Sequence, residues 1–186
     1  MCHLCEQLDD QPTLGRRGFV AGAIAAAAVI TVPKPAYARQ ARTLSFYHTH
    51  TGERLRLTYA EQGRHIPEAL DEITHFLRDF RTGDRHPIDP ALLDVLHQLR
   101  VKAGDRGTFE IISAFRSPRT NEMLRSNSNG VAQRSLHMEG RAIDVRLRGV
   151  PTAKLREMAL NLKAGGVGYY ARSDFIHVDT GRVRFW

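Results

Sequence analysis

Three residues in this sequence have side chains and settings that suit a metal: His137, Asp144 and His177. His137 and Asp144 lie seven positions apart in SLHMEGRAIDV, residues 135–145, where a loop reads into a strand. Asp144 interrupts an otherwise apolar strand, and a carboxylate there must be paired or ligated to avoid a large desolvation cost. In DFIHV, residues 174–178, Ile176 and Val178 share one strand face and His177 takes the other. Two imidazoles and one carboxylate would leave a tetrahedral zinc with its fourth position open for water, as catalytic zinc requires. On residue types alone a plainer reading stands beside this one: polar side chains at the edge of a core.

The remaining histidines have ordinary explanations. His75 and His97 fall within helical patterns, His86 precedes a proline in a loop, and His65 precedes a helix. His48 and His50 have the His-x-His spacing that puts both on one strand face, but no carboxylate is placed beside them. Cys2 and Cys5, in CHLC, resemble half of a zinc site with no second pair anywhere in the chain.

These side chains need elements to aim them. Residues 43–59 read as a hairpin around a Thr-Gly turn. Ile66, Leu70, Ile73, Leu77 and Phe80 then share one helical face, with Pro67 suited to the first turn. Asp89 caps and Pro90 starts a second helix, whose stripe is Leu92, Leu93, Leu96 and Leu99 and whose end is Gly104. TFEIISAF is a strand running into a short helix with Ser117 as cap and Pro118 as first residue. After the polar loop NSNGVAQRS, RAIDVRL is a strand by alternation, and Thr152 is expected to cap a helix holding Leu155, Met158, Ala159 and Leu162. GVGYY and SDFIHVDTGRVRFW close the chain as strands. This order predicts an α+β domain, a mostly antiparallel sheet with helices on one side.

The length of 186 residues allows one domain with a substantial core. Its first part reads as an export signal: Arg16-Arg17, an apolar run from Phe19 to Val32, then Ala36-Tyr37-Ala38. Fourteen apolar residues fall short of the ~20 that span a bilayer. Arg-Arg followed by Gly-Phe-Val resembles the twin-arginine signal, which exports folded proteins and implies the twin-arginine translocase as a partner. Cleavage after Ala38 would leave residues 39–186 as the mature domain, without thiols, in the periplasm or cell-wall compartment and without a stable membrane insertion. Three charges of each sign leave with residues 1–38, so the mature chain keeps the formal charge of +7. Export weakens a nucleic-acid reading of that charge and favours an anionic extracytoplasmic polymer.

SAFRSPRTNEMLR, SLHMEGRAIDVRL and GGVGYYARSDFIHVDTGRVRFW together resemble the murein endopeptidase K-type branch of the zinc D-Ala-D-Ala peptidases. That group is related in its metal site to VanX, VanY and the hedgehog signalling domain. The pattern Ser-x-His-x-x-Gly-x-Ala-x-Asp is matched at Ser135, His137, Gly140, Ala142 and Asp144, and the likeness covers residues 43–186. The resemblance implies a hedgehog/DD-peptidase-like fold, one Zn2+ per chain on His137, Asp144 and His177, and peptidoglycan stem peptides as substrate. It further implies Asp174 as general base, with Asp179 as the alternative or as a residue orienting an imidazole. Arg116 would anchor a substrate carboxylate, or else pair with a carboxylate of the domain itself, and Ser135 would contact substrate. The expected reaction is hydrolysis of cross-links during wall remodelling. The alternatives are a D,D-carboxypeptidase of the same fold and a non-catalytic wall-binding module with a structural zinc.

Overall fold

The computed structural model describes residues 41–127 and 131–186. The residues read as an export signal, both cysteines and residues 128–130 of the polar loop lie outside the described residues. No helix among the described residues is long and apolar enough to cross a membrane.

The chain opens with strands β1 (Arg42–His48), β2 (Arg54–Glu61) and the two-residue β3 (Arg64–His65). Helix α1 (Pro67–Phe76) follows and is shorter than its apolar periodicity predicts. Leu77 is its C-cap and Phe80 lies beyond it, although Leu77 is fully buried. Helix α2 (Pro90–Lys102) matches the expectation: the Asp89 carboxylate accepts from the Ala91 N–H, and Leu92, Leu93, Leu96 and Leu99 are buried. Each such leucine is worth about 1.5–3 kcal/mol of apolar burial. Strand β4 (Phe109–Ser113) leads into α3 (Pro118–Asn127), where the Ser117 hydroxyl accepts from the Thr120 N–H. Then come a 3₁₀ turn (Leu136–Glu139), β5 (Ala142–Leu147), α4 (Thr152–Leu162), β6 (Gly166–Tyr170), a second 3₁₀ turn (Ala171–Ser173), β7 (Phe175–Asp179) and β8 (Arg184–Phe185). Thr152 is the first residue of α4 rather than its cap; Pro151 takes the cap position, and the Thr152 hydroxyl bonds the Asp174 carboxylate instead.

Among the described residues the strands form one eight-stranded sheet in the order β3-β2-β1-β4-β5-β7-β6-β8. Neighbours are antiparallel except β1 with β4 and β6 with β8. Alternation along the strands divides the two faces. Leu44, Phe46, Phe109, Ile111, Ile143, Val145, Ile176 and Val178 join residues of α1, α2 and α4 in a single buried cluster that includes no residue of α3. The opposite face carries the polar positions. Register places Ser113 beside Asp144, Asp144 beside His177, and His177 beside Gly168, so the chemistry-bearing side chains lie in one row across four strands.

Candidate metal centre

His137, Asp144 and His177 arrive at that row by separate routes. Asp144 and His177 are paired on adjacent antiparallel strands. His137 comes from the 3₁₀ turn, which Ser135 caps by accepting from the His137 N–H and Gly140 ends in the left-handed region at φ 65°. A side chain at Gly140 would overlap the Pro87 carbonyl, so the motif needs glycine for both conformation and space. The three side chains are buried, and one ligand atom from each lies within 4.8 Å of the others.

Hydrogen bonds around the two rings decide which nitrogens face inward. The Ala114 carbonyl can only accept, so His137 Nδ1, at 2.7 Å, carries a proton and its Nε2 offers a lone pair. Asp179 accepts from His177 Nε2 at 2.9 Å, which leaves the His177 Nδ1 lone pair inward. His137 Nε2 and His177 Nδ1 stand 3.2 Å apart, and Asp144 Oδ1 lies 3.3 Å from the first and 2.9 Å from the second. Neutral rings would set three acceptors against one another with no proton between them. A cation resolves that conflict, and the spacing suits it: a tetrahedron with 2.0–2.1 Å bonds separates its donors by about 3.3 Å.

Charge in the site follows the same geometry. Burial alone would raise the Asp144 pKa, but the two imidazoles and the Arg116 guanidinium hold it far below the usual carboxylate range. Burial lowers His137 despite Asp144. Burial also opposes charge on His177, yet the carboxylates of Asp144 and Asp179 outweigh it and raise its pKa. Asp179 is held low against burial by His177, Arg184 and the N–H groups of Gly166 and Gly181.

The centre floors a cleft of about 560 Å³. Arg116 and Ser135 line it beside His137, Asp144 and His177. Arg116 fulfils the intramolecular expectation, donating through Nη2 to Asp144 Oδ2 and through Nε to Ser113 Oγ, while also lining the cleft. Asp174 and Asp179 are not among the lining residues. Asp174 sits on the turn before β7, at φ 51°, and its carboxylate is turned to the Thr152 hydroxyl and to Arg146, 3.6 Å away. Asp179 receives five donors on its two oxygens: His177 Nε2, two from Arg184, and the N–H groups of Gly166 and Gly181. Among the described residues no other His, Cys, Asp or Glu group gathers like a metal site. His48 Nδ1 instead accepts from the N–H groups of His50 and Thr51, and His50 stacks on Phe80 at 4.1 Å. Sequence reading missed other residues of the cleft wall, among them Arg134, Arg184, Tyr170, Phe175 and Trp186; the sole tryptophan of the chain, in RVRFW, was the one compositional signal for it.

An α+β sheet with a buried two-imidazole, one-carboxylate centre at the foot of an open cleft has the donor set of the metallohydrolases. Comparison with known proteins agrees. A family model described as "Peptidoglycan L,D-endopeptidase MepK" matches residues 36–186. The peptidoglycan L,D-endopeptidase MepK of Escherichia coli (strain K12) is 40% identical over 182 residues, covering 95% of this chain and 100% of that protein. The probable peptidoglycan L,D-endopeptidase MepK of Haemophilus influenzae is 41% identical over 160 residues, covering 86% of this chain and 83% of that protein. The chain belongs to the MepK family of peptidases.

Proposed function

We propose that this chain is a zinc-dependent peptidoglycan endopeptidase that hydrolyses stem-peptide cross-links during wall remodelling. The observation that carries this reading is the convergence of the His137, Asp144 and His177 ligand atoms at the floor of an open cleft. Its relatives are named peptidoglycan L,D-endopeptidases, which favours cross-link cleavage over carboxypeptidase action. A structural zinc would normally be closed by four protein ligands, and the described donor group has three, which favours catalysis over a wall-binding module.

His137 Nε2, Asp144 and His177 Nδ1 would hold the ion. When bound, zinc supplies Lewis-acid polarisation of the scissile carbonyl and acidification of the attacking water. The protein's own groups then position and move protons. Ala114 and Asp179 fix the two tautomers, so both rings present lone pairs without rearrangement. Arg116 steadies Asp144 and offers its guanidinium to a stem-peptide carboxylate, placing the bond over the centre. Ser135 orients the turn that carries His137 and contacts substrate from the cleft wall. Asp174 acts as general base, taking the water proton on its carboxylate and delivering it to the leaving amine. It does so once substrate has drawn it from Thr152 and Arg146, because catalytic hydrogen bonds often tighten only in the complex.

We propose a matching export route. Arg16-Arg17 and the apolar run direct the folded chain through the twin-arginine translocase to the periplasm or wall, with cleavage after Ala38 and zinc loaded beforehand in the cytoplasm. Restored full activity of apo-protein sent through the general secretory route, without added metal, would remove the reason for folded export. The +7 charge suits an anionic wall polymer.

Mass spectrometry of sacculus digests tests the activity. Wild type should release muropeptides split at a peptide cross-link, and chelator or His137→Ala should abolish release. Equal release by His137→Ala would sink the enzymatic reading.

A further inference from the structure

One wall of the cleft consists of side chains that the hydrolytic chemistry does not use. Trp186 and Tyr170 remain 48% and 37% exposed, yet their positions are set by specific contacts. The backbone of Trp186 pairs with Val167 and Tyr169, at 3.3 and 3.1 Å. Its indole N–H donates to the Tyr170 hydroxyl at 3.1 Å, and the Arg184 guanidinium lies 5.1 Å from its ring. On its inner side the ring centre is 5.2 Å from that of His177. Phe175 stacks on Tyr170 at 4.6 Å and continues the wall. Gly168 makes room for it: a Cβ there would lie 2.7–2.8 Å from three indole atoms. Gly168 is not among the residues with positive φ, so space for the ring, rather than backbone freedom, is what requires glycine.

An apolar surface held in place beside a reactive centre and left open to solvent is a binding surface. We infer that Trp186, seated on Gly168 and tied to Tyr170, is the specificity-determining wall that grips the apolar arm of the cross-link. The chemistry of a cross-link identifies that arm. Joining two peptide chains uses an amine outside the main chain, so one partner is a diamino acid whose methylene stem adjoins the scissile amide. Aromatic faces accept such a stem, while Arg116 across the centre takes a carboxylate. This inference rests on the endopeptidase reading and deepens it.

Kinetics on purified cross-linked muropeptide dimers test the wall. Trp186→Ala and Gly168→Ala should each raise KM about tenfold or more with kcat within about threefold. Zinc content should be unchanged in both. Because Trp186 is the sole tryptophan, zinc-loaded wild type titrated with the monomeric muropeptides released by cleavage should show a saturable change in indole emission. Invariant emission at saturating monomer, or an unchanged KM in Trp186→Ala, overturns the inference. A fall in kcat alone also overturns it, since the ring would then act through His177. Failure of wild type to cleave any dimer overturns the endopeptidase reading instead, and the same emission titration run with the intact dimer still judges the wall.

Discussion

The centre is governed at the residue scale by where two protons sit. A backbone carbonyl fixes one on His137 Nδ1 and a carboxylate fixes one on His177 Nε2, so in the neutral rings it is His137 Nε2 and His177 Nδ1 that turn lone pairs inward. Asp179 has both oxygens engaged, an arrangement that suits orienting the His177 ring better than taking a proton. Asp179→Asn should weaken zinc affinity about 10–100-fold, the usual cost of losing a partner of a metal-binding histidine. Competition with a chromophoric chelator measures it, and wild-type affinity would remove the orienting role. Asp174 carries the opposite expectation: Asp174→Asn should lower kcat by about 10²–10⁴ with zinc content unchanged. A kcat within tenfold of wild type would move the base elsewhere.

At the element scale, one buried polar anchor ties two segments near the cleft to each other. Asp79 is nearly inaccessible and accepts from the Ser117 N–H and hydroxyl and from the Arg81 N–H, tying the segment after α1 to the start of α3. Burial alone would raise its pKa, but hydrogen bonds from the Thr120 side chain, Ser117 and Arg81 hold it below the usual carboxylate range. Ser117 adjoins Arg116, so the same anchor sets where the cleft arginine leaves β4. Asp79→Ala should cost about 2 kcal/mol of stability, because hydrogen bonds to a charged group are lost and their donors stay buried. Urea unfolding reads that loss, and a shift below 0.5 kcal/mol would show that water replaces the anchor.

Across the whole molecule, stability is tied to pH through a group remote from the centre. His48 is buried against Phe76 and Phe80. Burial, helped by the neighbouring His50, pushes its pKa down from 6.5 to about 4. Below pH 6.5 the unfolded ring takes up a proton that the folded ring refuses until about pH 4. Stability therefore falls as pH falls through that window, by on the order of 3 kcal/mol from this group. His48→Phe keeps an aromatic ring and removes the proton, so its unfolding free energy should change less than wild type between pH 7 and 4. Parallel pH profiles for the two proteins would assign the loss to other groups.

What the sequence determined by itself was local or periodic. The Asp89 cap and leucine stripe of α2, the Ser117 start of α3, and alternation in β5 depend on neighbours a few positions away, and each was legible. Asp144 was legible as a candidate because a carboxylate in an apolar strand demands a partner, and His137 and His177 because imidazoles so placed could join it on a metal. Tertiary structure decided what lies between distant segments. It brought β4 beside β1, ended α1 before Leu77, and turned Thr152 to Asp174. It also chose the inward nitrogens and seated Trp186 on Gly168. The reason is physical: a side chain's type and spacing state what it needs, and only the folded sheet settles which distant group supplies it.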